Sequence, residues 1–200
     1  MPDNVPRSSN VVWQKGELDR SQRWAALGHG GATVWMTGLP ASGKSTVAAG
    51  VEARALAEGR SAYVLDGDNL RHGLNGDLGF SADDRAENVR RTAEVAALLA
   101  DAGVLVLVAL VSTYRADREA ARAIHERNGL PFLEVHVATS LEECERRDPK
   151  GLYARARAGE LSHLTGVDDP YEPPLAPDVV VDGGDQLDEA VARVWAALPG

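Results

Sequence analysis

A doubly wound α/β fold with a parallel sheet is what the sequence predicts, on three observations. Short apolar segments alternate with longer helix-forming ones along most of the 200 residues, the pattern of βα units joined by crossovers. A glycine-bearing loop, Gly38-Leu39-Pro40-Ala41-Ser42-Gly43-Lys44-Ser45, lies between a strand-like and a helix-like stretch. Val104-Leu105-Val106-Leu107-Val108-Ala109-Leu110-Val111 is an unbroken apolar run, as a central parallel strand covered on both faces requires.

The elements follow in order. Glu17 to Leu27 is expected to form a short helix, with Gly28-His29-Gly30-Gly31 leading into a first strand at Ala32–Thr37. After the glycine loop, Thr46 to Glu58 reads as a helix rich in Ala, Val and Leu, and Ser61–Asp66 as a second strand. Ser81 opens a helix with Asp83 and Asp84 in its first turn, where the helix dipole favours acids, and the helix stops at Gly103. The apolar run is the third strand. A helix from about Arg115 to Asn128 and a strand at Pro131–Val137 come next, and Ser140 caps a helix ending near Asp148-Pro149. Gly151 to Pro177 carries Arg, Gly and Pro and is expected to be a mobile cover; Asp178–Asp182 is a last strand and Gln186–Leu198 a terminal helix. Residues 1–30 are assigned to a flexible tail and entry helix, and 31–200 to a single domain.

Composition narrows the function. With 44% hydrophobic and 26% charged residues, the chain has the balance of a globular protein. No apolar run approaches the roughly 20 residues of a membrane helix, so no membrane association is expected. A net charge of −9 argues against a broad nucleic-acid surface, while a few local arginines can still make a cleft for a small anion. Cys144 is the only cysteine, which rules out an internal disulfide and suits a reducing cytoplasm. Its acidic neighbours disfavour a thiolate, so a structural role is expected. His72 is expected to pack or hydrogen-bond, and His29, His125, His136 and His163 lack metal-ligand spacing, so no zinc site is expected.

The glycine loop carries the chemistry of a phosphate cradle. Its backbone N–H groups turn inward around phosphate, the following helix adds partial positive charge, Lys44 reaches the terminal phosphates and Ser45 is a Mg²⁺ ligand. The motif predicts a nucleoside triphosphate and a P-loop NTPase-like fold, without naming what receives the phosphate. Ligands in such sheets collect beyond the carboxyl ends of the strands, hence just after Thr37, Leu65, Val111 and Val137.

After the second strand comes Asp66-Gly67-Asp68-Asn69-Leu70-Arg71. Carboxylates at alternate positions suit a metal-bound phosphate and a substrate hydroxyl, because transfer to an alcohol is helped by a group that takes its proton. A polar turn explains the same residues. The third strand ends at Ser112 with no acid following, and no Asn-Lys-x-Asp motif occurs; both features count against a GTP switch or an ATP-driven motor. Arginines recur at Arg71, Arg85, Arg90, Arg91, Arg115, Arg118, Arg146, Arg147, Arg155 and Arg157. The guanidinium fork suits phosphate or sulfate, and the Arg146–Arg157 group, with Arg147 towards the nucleotide, is expected to close as an Arg-rich lid.

These segments together resemble one family. Asp66–Asn75, Leu78-Gly79-Phe80-Ser81, Arg85–Arg91, Arg147-Asp148-Pro149-Lys150-Gly151-Leu152-Tyr153, Thr165–Glu172 and the entry Asn10-Val11-Val12-Trp13 are similar to adenylylsulfate (APS) kinases, in order and from Asn10 to Asp182. The resemblance implies transfer of the ATP γ-phosphate to the 3′-hydroxyl of adenosine 5′-phosphosulfate, giving PAPS and ADP with Mg²⁺ in sulfate assimilation. It implies that Gly38, Leu39, Pro40, Ala41, Ser42, Gly43, Lys44, Ser45, Thr46 and Arg147 hold ATP, with Ser45 and Asp66 at the metal. It assigns Asp68, Asn69, Arg71, Phe80, Arg85, Asn88, Val111, Ser112, Lys150 and Leu164 to APS, and catalysis to Asp68, Lys44 and Ser112. The family marks the serine aligned with Ser112 as a phosphoserine intermediate, although direct in-line transfer needs no covalent step.

Within that resemblance Asp68 would take the 3′-hydroxyl proton, Arg71 and Arg85 would hold the phosphosulfate, and Phe80 would stack on adenine. Two departures stand out. Ser162-His163-Leu164 stands where related sequences often carry Lys-Gly-Phe, which would leave one wall of the adenine slot aliphatic, and Thr113 stands where relatives often carry proline. The family also implies a homodimer, and the chain is expected to be a monofunctional kinase. Two alternatives stay open: a kinase for another small-molecule alcohol, and a nucleotide-binding regulatory module without catalysis.

Overall fold

The computed structural model describes residues 8, 10–12, 14 and 16–199. Most of the expected tail, and Trp13 of the entry segment, lie outside the described residues. A five-stranded, all-parallel sheet forms the middle layer in the order β2-β3-β1-β4-β5. Its strands are β1 (Ala32–Thr37), β2 (Ala62–Asp66), β3 (Leu105–Ala109), β4 (Phe132–Ala138) and β5 (Val179–Asp182). The apolar 104–111 run is thus hydrogen-bonded as strand over a shorter core, and its last residues are the loop that enters the site.

Helices cover both faces because β1 and β3 are buried along their whole lengths. One face packs on α2 (Lys44–Ala57) and α8 (Leu187–Ala196), through Val47, Val51, Val191 and Val194. The other packs on α4 (Ala82–Asp101) and α5 (Arg115–Arg127), through Val89, Ala93, Ala96, Ala121 and Ile124, with Trp35 of β1 among them. Alternate residues of one strand therefore serve two cores, which is why the strands read as continuous apolar runs. His125 is buried in the second layer, bonded to Thr33 at 2.9 Å and to the Ala121 carbonyl at 2.8 Å.

The entry helix α1 (Arg20–Leu27) begins later than the sequence suggests. Asp19 and Gln22 form a reciprocal capping box that fixes its start. Arg20 and Arg23 both pair with Asp101 at the end of α4, and the Trp24 indole donates to the Asp101 carbonyl at 3.1 Å.

The stretch from 151 to 177, expected as a mobile cover, holds regular structure. It contains α7 (Leu152–Arg157) and a bridge between Thr165 and Asp169. Tyr153 and Leu164 are buried with Cys144 of α6 (Leu141–Arg147), against Leu39 and Ala41 of the glycine loop. A small apolar core of its own seats this segment over the loop.

Candidate active site

The loop between β1 and α2 leaves β1 where the connections diverge, β3 lying on one side and β4 on the other; open α/β sheets form their ligand crevices at this point. Two glycines make the turn possible. Gly38 has φ 154° and an added Cβ would sit 2.6 Å from the Val137 carbonyl, while Gly43 has φ 109°. Gly43 caps α2 without any side-chain bond, so the first N–H groups of the helix remain open for an anion. The loop is braced from outside: Thr139 Oγ1 donates to the Ser42 carbonyl at 2.7 Å and the Tyr153 hydroxyl to the Pro40 carbonyl at 3.0 Å. Arg147 also reaches the Ser42 carbonyl at 3.3 Å, and bonds the Gly183 carbonyl at 2.6 Å.

Lys44 is folded back into the loop, donating to the carbonyls of Gly38 and Leu39 at 2.9 and 2.8 Å and to Ser42 Oγ at 3.3 Å. Burial lowers its ammonium to about 8, against weaker support from Cys144, Asp66 and Asp68. Cys144 is itself buried and its thiol raised, chiefly by desolvation rather than by its acidic neighbours, which corrects the cause inferred from sequence.

Asp66 joins the loop to the next strand end. One carboxylate oxygen accepts from Ser45 Oγ at 2.6 Å; the other caps α3 (Gly67–Leu70) by accepting from the Asp68 amide at 2.9 Å. That cap turns the chain so that Asp68 stands exposed at the mouth, paired with Lys150 from the segment between α6 and α7. Asn69 is exposed beside it. Ser45 and Asp66 form a pair of hard oxygen donors, the kind Mg²⁺ takes alongside phosphate and water. Among the described residues no cluster of three or more His, Cys, Asp or Glu side chains suits a metal, and a Mg²⁺ shared with a triphosphate needs none.

Phe80 is 56% exposed, with the Arg71 guanidinium 4.2 Å and that of Arg85 5.6 Å from its ring centre. An open aromatic face lined by cations suits a planar anionic ligand better than a core position. The two arginines differ, however. Arg71 makes no ion pair among the described residues, bonding only the carbonyls of Leu78 and Gly79, and burial together with Arg85 lowers it. Arg85 spends its donors on protein: the Phe80 and His163 carbonyls at 3.0 and 2.5 Å, Thr165 at 3.1 Å and Asp169 at 3.2 Å. In this structure Arg71 is the available cation and Arg85 ties the 163–169 turn to α4.

Other expected residues are set further back. Asn88 is buried, accepting from Asn75 Nδ2 at 2.9 Å. The Val111 carbonyl accepts from Thr37 Oγ1 at 2.7 Å. Ser112 is buried with φ 42°, and its Oγ accepts from the Trp35 indole at 3.1 Å. That hydroxyl is occupied inside the fold, which speaks against the phosphoserine role. Leu164 is 7% exposed and packs beside Cys144 and Tyr153. The Asp168 carboxylate accepts from the amides of His163 and Leu164 at 2.5 and 2.7 Å and closes the turn that carries Leu164.

Sequence reasoning missed Tyr153, Thr139, Tyr171 and the Arg118–Glu134 pair. Tyr153 and Tyr171 lie inside family-like segments and were findable there; Thr139 and Glu134 carry no sequence signal.

Comparison with known proteins fits this geometry. The adenylylsulphate kinase family model matches residues 30–182. An adenylyl-sulfate kinase of Prochlorococcus marinus is 49% identical over 96% of this chain and 95% of its own length. One from Staphylococcus epidermidis is 47% identical over 95% of each chain. The structure of the Mycobacterium tuberculosis APS kinase CysC in complex with AMPPNP and APS superposes with a TM-score of 0.83 at 56% identity, covering 84% of this chain and 98% of that one. The chain belongs to the adenylylsulfate kinase family.

Proposed function

We propose that the two sides of the mouth divide the work of an adenylylsulfate kinase, which moves the γ-phosphate of ATP to the 3′-hydroxyl of APS and yields PAPS and ADP. Residues Gly38–Thr46 hold the triphosphate, with Lys44 leaving the loop carbonyls for phosphate oxygens. Ser45 and Asp66 hold Mg²⁺, which when bound offsets charge on the phosphates. Asp68 orients the acceptor hydroxyl and accepts its proton. Arg71 takes the phosphosulfate, Phe80 stacks on adenine, and Lys150 and Asn69 close the acceptor side. Arg147 flanks the nucleotide. Arg85, Asn88, Val111, Ser112 and Leu164 shape the acceptor wall from behind.

The observation that carries this reading is the double use of Asp66. It holds Ser45 of the phosphate loop with one oxygen and caps the helix that presents Asp68 with the other, so donor and proton acceptor share one short rigid connection. A homodimer belongs to the same proposal, supported by exposed Val11, Val12 and Leu187 and tested by sedimentation. A cytoplasmic setting is supported by the free, buried Cys144. Among the described residues no helix is long and apolar enough to cross a membrane. Incubating the protein with ATP, Mg²⁺ and APS should yield PAPS and ADP in equal amounts. Turnover only with another alcohol, or nucleotide binding without turnover, sinks the proposal.

A further inference from the structure

Arg118 of α5 lies behind the mouth and is the only buried arginine among the described residues, its side chain 2% exposed. Nε donates to Glu134 of β4 at 2.6 Å. Nη1 donates to the Ser112 carbonyl at 2.6 Å and Nη2 to the Glu172 carbonyl at 2.7 Å. A buried ion pair is a poor source of stability, since apolar side chains of similar volume often do as well. Its fork does something apolar packing cannot: it fixes two backbone segments relative to each other and to the sheet.

Both segments lead to the acceptor side. The first is the turn at Ser112, held at φ 42°, where a side chain rarely sits. The second is the strap Asp169–Glu172. The Glu172 amide donates to the Thr113 carbonyl at 3.0 Å and its carboxylate accepts from the Arg115 amide at 2.9 Å. The Tyr171 hydroxyl bonds Thr37 Oγ1 at 3.0 Å, at the residue that enters the phosphate loop. Asp169 pairs with Arg85, which in turn bonds the Phe80 carbonyl. A continuous chain of contacts thus runs from Glu134 through Arg118 and the strap to Arg85 and the Phe80 shelf.

We propose that Arg118 is a positioning residue for phosphoryl transfer, holding the strap and the Ser112 turn so that Arg85 and Phe80 present the acceptor at a fixed distance from the phosphate loop. The inference rests on the kinase reading above. The phosphate loop has its own braces in Thr139 and Tyr153, and the strap touches the ATP side only through the Tyr171–Thr37 bond, so loss of Arg118 falls mainly on the acceptor side.

Arg118→Lys tests this: it keeps a cation opposite Glu134 but removes the fork that spans two carbonyls. Mg·ATP affinity should stay within about twofold, while kcat/KM for APS falls by about tenfold or more, as misplacement by a fraction of an ångström does. Tyr171→Phe leaves the ion pair intact and serves if the lysine variant does not fold; it should lower kcat/KM for APS by about threefold, the effect of one hydrogen bond, and change Mg·ATP affinity less, because Thr37 keeps its bond to the Val111 carbonyl. Unaltered APS kinetics in a folded Arg118→Lys protein, or equal losses for ATP and APS, overturn the inference. If the lysine variant does not fold, unaltered kinetics in Tyr171→Phe do the same. Failure of the wild-type protein to make PAPS instead overturns the kinase reading, so the two outcomes are distinct.

Discussion

Lys44 supplies a pH-dependent prediction whose size follows from its surroundings. Its ammonium is enclosed by loop carbonyls and Ser42, and burial lowers it from 10.5 to about 8. Triphosphate binding requires the charged form and favours it strongly, so the bound lysine stays protonated where the free one does not. At pH 9 about one free molecule in ten then carries the charge, and Mg·ATP affinity should be about tenfold weaker than at pH 7, or ~1.4 kcal/mol. Binding at pH 9 should take up close to ~1 proton, which calorimetry in two buffers of different ionisation enthalpy measures directly. A flat affinity from pH 7 to pH 9, or no proton uptake, refutes the reasoning. Stability shows the same linkage from the other side. Between pH 8 and 10.5 the unfolded chain binds more protons at this lysine than the folded one, so its contribution to stability rises with pH across that window, by ~3 kcal/mol at most.

Asp68→Asn should lower kcat by about 10²-fold or more and leave Mg·ATP affinity within a factor of about two; equal losses in steady-state turnover and nucleotide binding remove its role as proton acceptor. Leu164→Phe should overpack the Cys144–Tyr153 cluster by about 1–3 kcal/mol in denaturant unfolding. Tighter APS binding with no loss of stability would instead mean that the side chain faces the acceptor. His125 is buried and lowered from 6.5 chiefly by desolvation. The unfolded chain therefore takes up a proton that the folded one resists, and stability should fall as pH drops below about 6.5. His125→Asn should flatten that part of the stability profile; an unchanged slope assigns it to other groups.

Much of the layout was legible because it depends on local chemistry. β1 falls on the expected residues 32–37, and Ser81 and Ser140 cap the helices they were expected to cap. Strand and helix periodicity survive in the sequence because every residue of β3, and the apolar residues of β1, meet one of two apolar layers. The phosphate loop was legible for a similar reason: its glycines are required by the backbone angles of a short turn, although at Gly38 the Val137 carbonyl also leaves no room for a Cβ. Boundaries were less so. The run 104–111 is apolar beyond β3 because Leu110 still packs in the core after strand pairing has ended.

The sequence by itself determined the α/β architecture, the phosphate loop and the family-like order of Asp66, Asp68, Arg71, Phe80 and Lys150, since each depends on residue type and spacing along a short stretch. Tertiary structure decided what each group faces. Arg71 and Arg85 look alike in sequence, but only Arg85 meets Asp169 across 84 residues. Leu164 turns inward because Asp168 winds its backbone, and Ser112 is held by an indole 77 residues away. Arg118 is one of many arginines until β4 brings Glu134 to it and the strap brings Glu172. Hydrogen bonds between distant segments leave no period or motif in the chain, because their geometry exists only once the sheet has brought the strand ends together.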